Sequence, residues 1–292
     1  MTVWCFGSIN IDHFYALPHL PVPGETLAAT TVRAELGGKG ANQSVAAARA
    51  GARVRHLGAV GPDGARALAG LAGYGVLCEG VQQVETPTGH AVIMVDPLGE
   101  NAIIIDAGAN RAIALAPVLA ALEHAALGDI LLLQNETAFQ VEVARAAMGL
   151  GMEVIYSAAP FEVEAVRAVL PFVNTLVVNA VEAAQLLAAL NTPFEDLPVE
   201  TVVVTRGAEG ASWHARGTPD ICVPALPTQV VDTTGAGDCF TGVLAAALSM
   251  DASPEDAMHF AAAAAAMQVS RPGTAAAMPT RAEIEALINE RR

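Results

Sequence analysis

Lysine is almost missing from this chain. Fifteen of its 292 residues are basic, and all but Lys39 are arginine. A chain that uses arginine everywhere else and one lysine inside a glycine cluster suggests a position that needs a compact ammonium; the alternative is chance in an arginine-biased sequence. Positive charge is scarce too, with a net charge of −15. No basic stretch is present to offset phosphate charge, which excludes an ordinary nucleic-acid binder. Aromatics are only 4%. No apolar run approaches the ~18–20 residues of a membrane span. The opening Met-Thr-Val-Trp-Cys-Phe-Gly lacks the basic start and apolar stretch of a secretory signal. No membrane association and a cytoplasmic location are therefore expected. The four cysteines, Cys5, Cys78, Cys222 and Cys239, are scattered without a CxxC pair, so neither a disulfide framework nor a zinc site is indicated.

What is present is alternation. Short apolar runs are separated by longer helical patterns, as in βαβ units around a mostly parallel sheet. Strands are expected at Val3–Ile9, Arg53–Val60, Ile130–Gln134, Glu153–Tyr156, Thr175–Val178 and Thr201–Thr205. Helices are expected at Asn42–Ala50, Arg66–Gly73, Ala114–Ala125, Val141–Met148, Glu162–Val169 and Val181–Leu190, and Thr280 with Glu283 reads as a capping box. Two segments, about 13–35 and 88–106, break the pattern. The second holds two β-like runs, His90–Val95 and Ala102–Ile105, around a turn. Together they predict a small separate sheet, either a surface excursion or a lid. The whole chain, 1–292, is expected to form one α/β domain.

Polar residues follow the expected strands repeatedly: Asn10 and Asp12, then Glu136, then Asn179 and Glu182, then Thr205 and Gly207. Ligands of open α/β sheets bind outside the carboxyl ends of the strands. Asn10 and Asp12, two apart, point the same way in an extended chain.

Two strings carry chemistry. Gly37-Gly38-Lys39-Gly40-Ala41-Asn42-Gln43 precedes a helix, and its glycines let backbone approach a ligand while Lys39 and Asn42 offer donors. It is not a Walker A loop, because Gly40 follows the lysine; the GxGxxG fingerprint is also absent after the first strand. Asp232-Thr233-Thr234-Gly235-Ala236-Gly237-Asp238 precedes an apolar helix at Val243–Leu248. Small residues at a helix start leave amides free for an anion, and Asp238 beside them can take a proton from an attacking hydroxyl.

Both strings resemble the signature motifs of the ribokinase family of carbohydrate kinases, also called the phosphofructokinase-B family. Gly7-Ser8-Ile9-Asn10-Ile11-Asp12, Pro23-Gly24-Glu25-Thr26 and Ala107-Gly108-Ala109-Asn110 extend the likeness over essentially the whole chain. The resemblance implies a doubly wound, mostly parallel sheet with helices on both faces, plus a β-sheet lid that forms a homodimer contact. It implies an ATP- and Mg²⁺-dependent sugar kinase, with D-ribose as the first expectation. A fructokinase or nucleoside kinase is the alternative within the family, and a non-catalytic sugar sensor the alternative outside it. Carried over residue by residue, the sugar site is Asn10, Asp12, Gly38, Lys39, Asn42 and Glu136. The anion hole is Gly235, Ala236 and Gly237, with Asp238 as base. Asn179, Glu182, Thr205 and Gly207 fall on the nucleotide side. Asp232, Thr234 and the loop at Gly273 match part of a monovalent-cation (K⁺) site. The chain departs from the family at Ser157-Ala158-Ala159-Pro160, on the phosphate side, and at Ala277, which brings no side-chain oxygen to the cation loop.

Overall fold

The computed structural model describes Met1–Arg291. Its strands are β1 (Thr2–Phe6), β2 (Asn10–Ala16), β3 (Thr31–Gly37), β4 (Arg53–Val60), β5 (Leu77–Gln83), β6 (Gly89–Val95), β7 (Asn101–Asp106), β8 (Ile130–Leu133), β9 (Glu153–Ser157), β10 (Thr175–Asn179), β11 (Thr201–Thr205), β12 (Ala211–Ala215) and β13 (Ile221–Val223). Its helices are α1 (Lys39–Arg49), α2 (Ala65–Gly73), α3 (Leu115–Leu122), α4 (Gln140–Gly149), α5 (Val163–Val169), α6 (Ala180–Leu190), α7 (Ala236–Ser249), α8 (Pro254–Gln268) and α9 (Arg281–Glu290).

Nine strands form the main sheet in the order β13-β12-β11-β10-β9-β8-β1-β4-β5. All pairs from β11 to β5 are parallel, and β12 and β13 add an antiparallel edge. The interior strand β1 is apolar and buried from Val3 to Phe6 because it is covered on both faces. Val3 and Cys5 enter one core with α1, α2, α7, α8 and α9, while Trp4 and Phe6 enter the other with α3 to α6. The alanines of α7 and α8, such as Ala245, Ala246, Ala261 and Ala264, are fully buried and let these helices pack closely. From β1 the chain builds toward β4 on one side and returns to β8 on the other. That reversal of strand order opens a crevice at the carboxyl ends of β1 and β8.

A second sheet has four strands in the order β3-β2-β6-β7, with Phe14, Ala91 and Ile93 as its own small core. It begins earlier than expected. The run Val3–Ile9 is not one strand: β1 ends at Phe6, the chain crosses at Gly7, Ser8 and Ile9, and Asn10 already belongs to the second sheet. The cause is the approach of α1, since a Cβ on Gly40 would lie 2.5 Å from the Gly7 Cα. Asn10 and Asp12 therefore sit on a strand with Phe14, on one buried face. Strands β5, β12 and β13 fall where the sequence pattern marked no element. The capping box at Thr280 and Glu283 is present at the start of α9.

Candidate active site

Asp238 lies in the first turn of α7, which Gly235 opens with a left-handed backbone at φ 80°. The N–H of Ala236 closes a turn onto Thr233 O at 3.2 Å. The N–H groups of Gly237 and Asp238 find no backbone acceptor among the described residues, as a helix start leaves them. The space a Cβ would take at Gly237 is empty to 4 Å. The first turn thus presents open donors and a helix dipole of the sign that attracts anions.

The Asp238 carboxylate is 7% exposed and held on both oxygens. Asn42 Nδ2 donates to Oδ2 and Gln43 Nε2 donates to Oδ1, each at 3.1 Å. Two consecutive residues of α1 reach one carboxylate because α1 and α7 nearly touch. A Cβ on Gly242 would stand 2.4 Å from Gln43 O, so only glycine fits there. Gln134 Nε2 donates to Gln43 Oε1 at 2.8 Å and fixes which end of that amide faces Asp238.

Lys39 and Asn42, three apart on α1, share a helix face. No ion pair engages the Lys39 ammonium directly among the described residues. The negative charges of Asp238 first, then Glu136, Glu182 and Asp12, raise its pKa against the burial that lowers it. The ammonium is therefore firmly charged and has donors to spare. Glu136, just after β8, accepts from the Ser8 hydroxyl and from Lys39 N at 3.0 Å on its Oε2, capping α1 across the crevice.

Asp12 and Asn10 face the same space. Asn110 Nδ2 donates to Asn10 Oδ1 at 2.7 Å, which leaves the Asn10 amide nitrogen as a free donor among the described residues. Asp12 is 8% exposed. Burial first, then the charges of Glu136, Glu35 and Asp238, push its pKa up to about 7. Asp12 Oδ1 and Asn42 Oδ1 are buried acceptors with no donor among the described residues. Buried polar atoms are nearly always paired, so two unpaired acceptors beside a charged lysine mark a place for a ligand's hydroxyls.

The remaining expected residues form two further groups. Asn179 ends β10 beside Thr205, which ends β11 in register with it, and Gly207 follows in a turn at φ 55°. Asn179 Oδ1 accepts from Val181 N and Glu182 N, and Glu182 Oε2 accepts from Asn179 N at 2.8 Å: a capping box. Asp232 accepts from Thr234 N on Oδ1 at 2.9 Å and from Gly273 N on Oδ2 at 3.0 Å. These three residues do meet, but the carbonyls of Thr234 and Gly273 already receive the Gln268 side chain at 2.7 and 3.2 Å. Sequence reasoning missed Gln268, Gln43, Gln134 and Ser8 as site residues. Gln43 and Ser8 lie inside the quoted strings; nothing in the pattern around Gln268 signalled it.

Known proteins resemble this chain over nearly its whole length. The family described as "pfkB family carbohydrate kinase" matches residues 2–281. A ribokinase of Haemophilus influenzae is 34% identical over 297 residues, covering 97% of this chain and 96% of the relative. A ribokinase of Bacillus subtilis is 35% identical over 292 residues, covering 97% and 98%. Among solved structures, the Arabidopsis thaliana ribokinase complexed with ribose and ATP superposes with a TM-score of 0.87 at 32% identity, covering 98% of both chains.

Proposed function

The chain belongs to the pfkB family of carbohydrate kinases, and we propose that its sugar is D-ribose, phosphorylated by ATP to ribose 5-phosphate. One observation carries the reading. Asp238, held by two amides, stands between open helix-start donors on one side and the unpaired acceptors of Asp12 and Asn42 on the other. The likeness over nearly their full length to relatives named ribokinase supports the choice of sugar.

Asp238 takes the proton of the primary hydroxyl as that oxygen attacks. The N–H groups of Gly237 and Asp238, on the turn shaped by Gly235 and Ala236, hold the charge that develops on the transferring phosphoryl group. Phosphoryl transfer depends chiefly on such positioning and electrostatics. Asp12 and Asn42 accept from ring hydroxyls, and Asn10 and Lys39 donate to them. Gly38 and Glu136 close the same wall. The nucleotide lies along Asn179, Glu182, Thr205 and Gly207.

Glu182 keeps Oε1 outside the capping box, which suits Mg²⁺, a cation that retains most of its water and takes few protein carboxylates. When bound, Mg²⁺ neutralises the β- and γ-phosphates. We further infer a homodimer through the small sheet. Its edge strand β7 exposes Ile103, Ile104 and Ile105 at 51%, 64% and 60%, an unprotected edge of the kind a second copy covers.

The test is ADP release with ribose, 2-deoxyribose, fructose and adenosine as acceptors at matched concentrations. Ribose is expected to give the highest kcat/KM, because a site built on hydroxyl contacts loses about 1–3 kcal/mol for each group left unpaired. Fructose or adenosine ahead of ribose by about tenfold, or 1.4 kcal/mol, would remove D-ribose as the substrate and leave the family intact.

A further inference from the structure

Two loops meet under the first turn of α7. One runs from Asp232 to Thr234 and delivers the chain into Gly235; the other contains Gly273. They are clamped twice. Asp232 accepts both loop N–H groups, Thr234 N at 2.9 Å and Gly273 N at 3.0 Å. Gln268, the last residue of α8, donates to both loop carbonyls, Thr234 O at 2.7 Å and Gly273 O at 3.2 Å. Gln268 is fully buried. Its Oε1 has no hydrogen-bond donor among the described residues.

Asp232, Thr234 and Gly273 are the residues on which a monovalent cation was expected. They do not fit one here. A cation bound to the Thr234 and Gly273 oxygens would have to stand where the Gln268 nitrogen stands, against its two partly positive hydrogens. Each Asp232 oxygen accepts one loop amide, so the carboxylate is already held in place by the protein. Ala277, buried on the same loop, brings no side-chain oxygen. The orientation of the Gln268 amide follows from the same atoms. Reversed, it would set Oε1 against two carbonyl oxygens with no donor between them.

We propose that the Gln268 carboxamide replaces the monovalent cation beneath the phosphate-binding turn, so that the turn is organised by the protein alone and turnover does not require K⁺. An –NH₂ group pointing two hydrogens at two carbonyls supplies the partial positive charge and the tether that a cation supplies by coordination. Thr234 is tied in place one residue before Gly235, and the open N–H groups of Gly237 and Asp238 are fixed through it. Gln268 is a positioning residue. It acts through Thr234 and touches neither sugar nor phosphate.

This inference rests on the kinase reading for its activity assay, and a second readout does not. The protein is exchanged into tetramethylammonium chloride, and KCl replaces it at constant ionic strength. Two quantities are measured: ADP release with ribose, and the thermal unfolding midpoint. For the unaltered protein both are expected to change little, with less than about a twofold change in rate. Gln268→Ala empties the space between the carbonyls. In tetramethylammonium it is expected to lose about tenfold in kcat and to melt lower, and K⁺ is expected to restore a large part of both. Rescue by K⁺ separates a cation surrogate from a merely structural glutamine, and Gln268→Ser, which retains an oxygen, repeats the test should the alanine variant misfold. The proposal is overturned if K⁺ activates the unaltered protein by about fivefold or more, or raises its melting midpoint by several degrees, since the amide then yields to a cation. It is equally overturned if both variants match the unaltered protein in tetramethylammonium, or are impaired with no response to K⁺. A protein with no kinase activity in either salt contradicts the function instead, and the melting comparison still decides the cation question.

Discussion

Gln43 donates to Asp238 Oδ1 at 3.1 Å, and its amide is locked in that sense by Gln134, which donates to Gln43 Oε1 at 2.8 Å. The carboxylate proposed to face the reacting hydroxyl is thus aimed by a chain of amides that begins at the end of β8. Gln43→Met keeps the side-chain volume and removes the donor. The expected result is a fall in kcat of about tenfold, the worth of one hydrogen bond to a charged group, with the ribose KM changed less. Steady-state kinetics with ribose varied at saturating ATP checks this; an unchanged kcat means that Asn42 alone holds Asp238.

Lys39 is surrounded by the charges of Asp238, Glu136, Glu182 and Asp12 without a direct ion pair among the described residues. A forked guanidinium is larger and cannot take the place of a compact ammonium. Lys39→Arg is expected to raise the ribose KM by about tenfold or more and the ATP KM much less. Equal effects on both would place the lysine at the nucleotide instead.

Asp12 carries a cost. Its pKa is about 7 in the folded protein against 3.8 ordinarily, raised mainly by burial. Between those values the folded protein keeps a proton that the unfolded chain has released. The stability associated with this group is full below pH 3.8 and is lost as pH rises through about 7. Asp12→Asn is therefore expected to stabilise the apoprotein at pH 8, by on the order of 4 kcal/mol at most, and to change little near pH 4. The same substitution is expected to raise the ribose KM, because the amide accepts from hydroxyls more weakly than a carboxylate. Denaturant unfolding at the two pH values tests the first claim. For the unaltered enzyme, kcat/KM for ribose is expected to fall as pH drops below about 7.

Ile104 is 64% exposed on the edge strand β7. Ile104→Lys places a charge on the surface proposed to join two copies. Light scattering is expected to show a dimer for the unaltered protein and a monomer for the variant at micromolar concentration. A dimer in both places the contact elsewhere.

The chemistry of the site was legible where it lies close in sequence. Gly235 to Asp238 lie in one eleven-residue string, Asp232 to Gly242, which is distinctive as a whole although a glycine-rich helix start alone is common. Lys39 stood out by composition. The pairing of Asn42 with Asp238 was not legible, because it spans 196 positions and depends on α1 and α7 touching at Gly242. The boundary of the small sheet was missed for a similar reason. Val3 to Ile9 is a continuous run broken only by Gly7 and Ser8, and what ends β1 at Phe6 is the approach of Gly40 from a helix more than thirty positions away. Gln268 sits between Met267 and Val269 at the end of an alanine-rich helix, where only the structure brings it to Thr234 and Gly273.

Asp238 is proposed to move the proton and not merely to shape the pocket. Asp238→Asn keeps the volume and can still take hydrogen bonds on its oxygen, but it cannot accept the hydroxyl proton. Ribose affinity by calorimetry and single-turnover phosphoryl transfer are measured on the same folded preparation. Ribose binding is expected to stay within a few-fold of the unaltered protein while transfer slows by about 10²–10⁴-fold. Transfer within a few-fold of normal, with the variant folded and binding ribose, would contradict it.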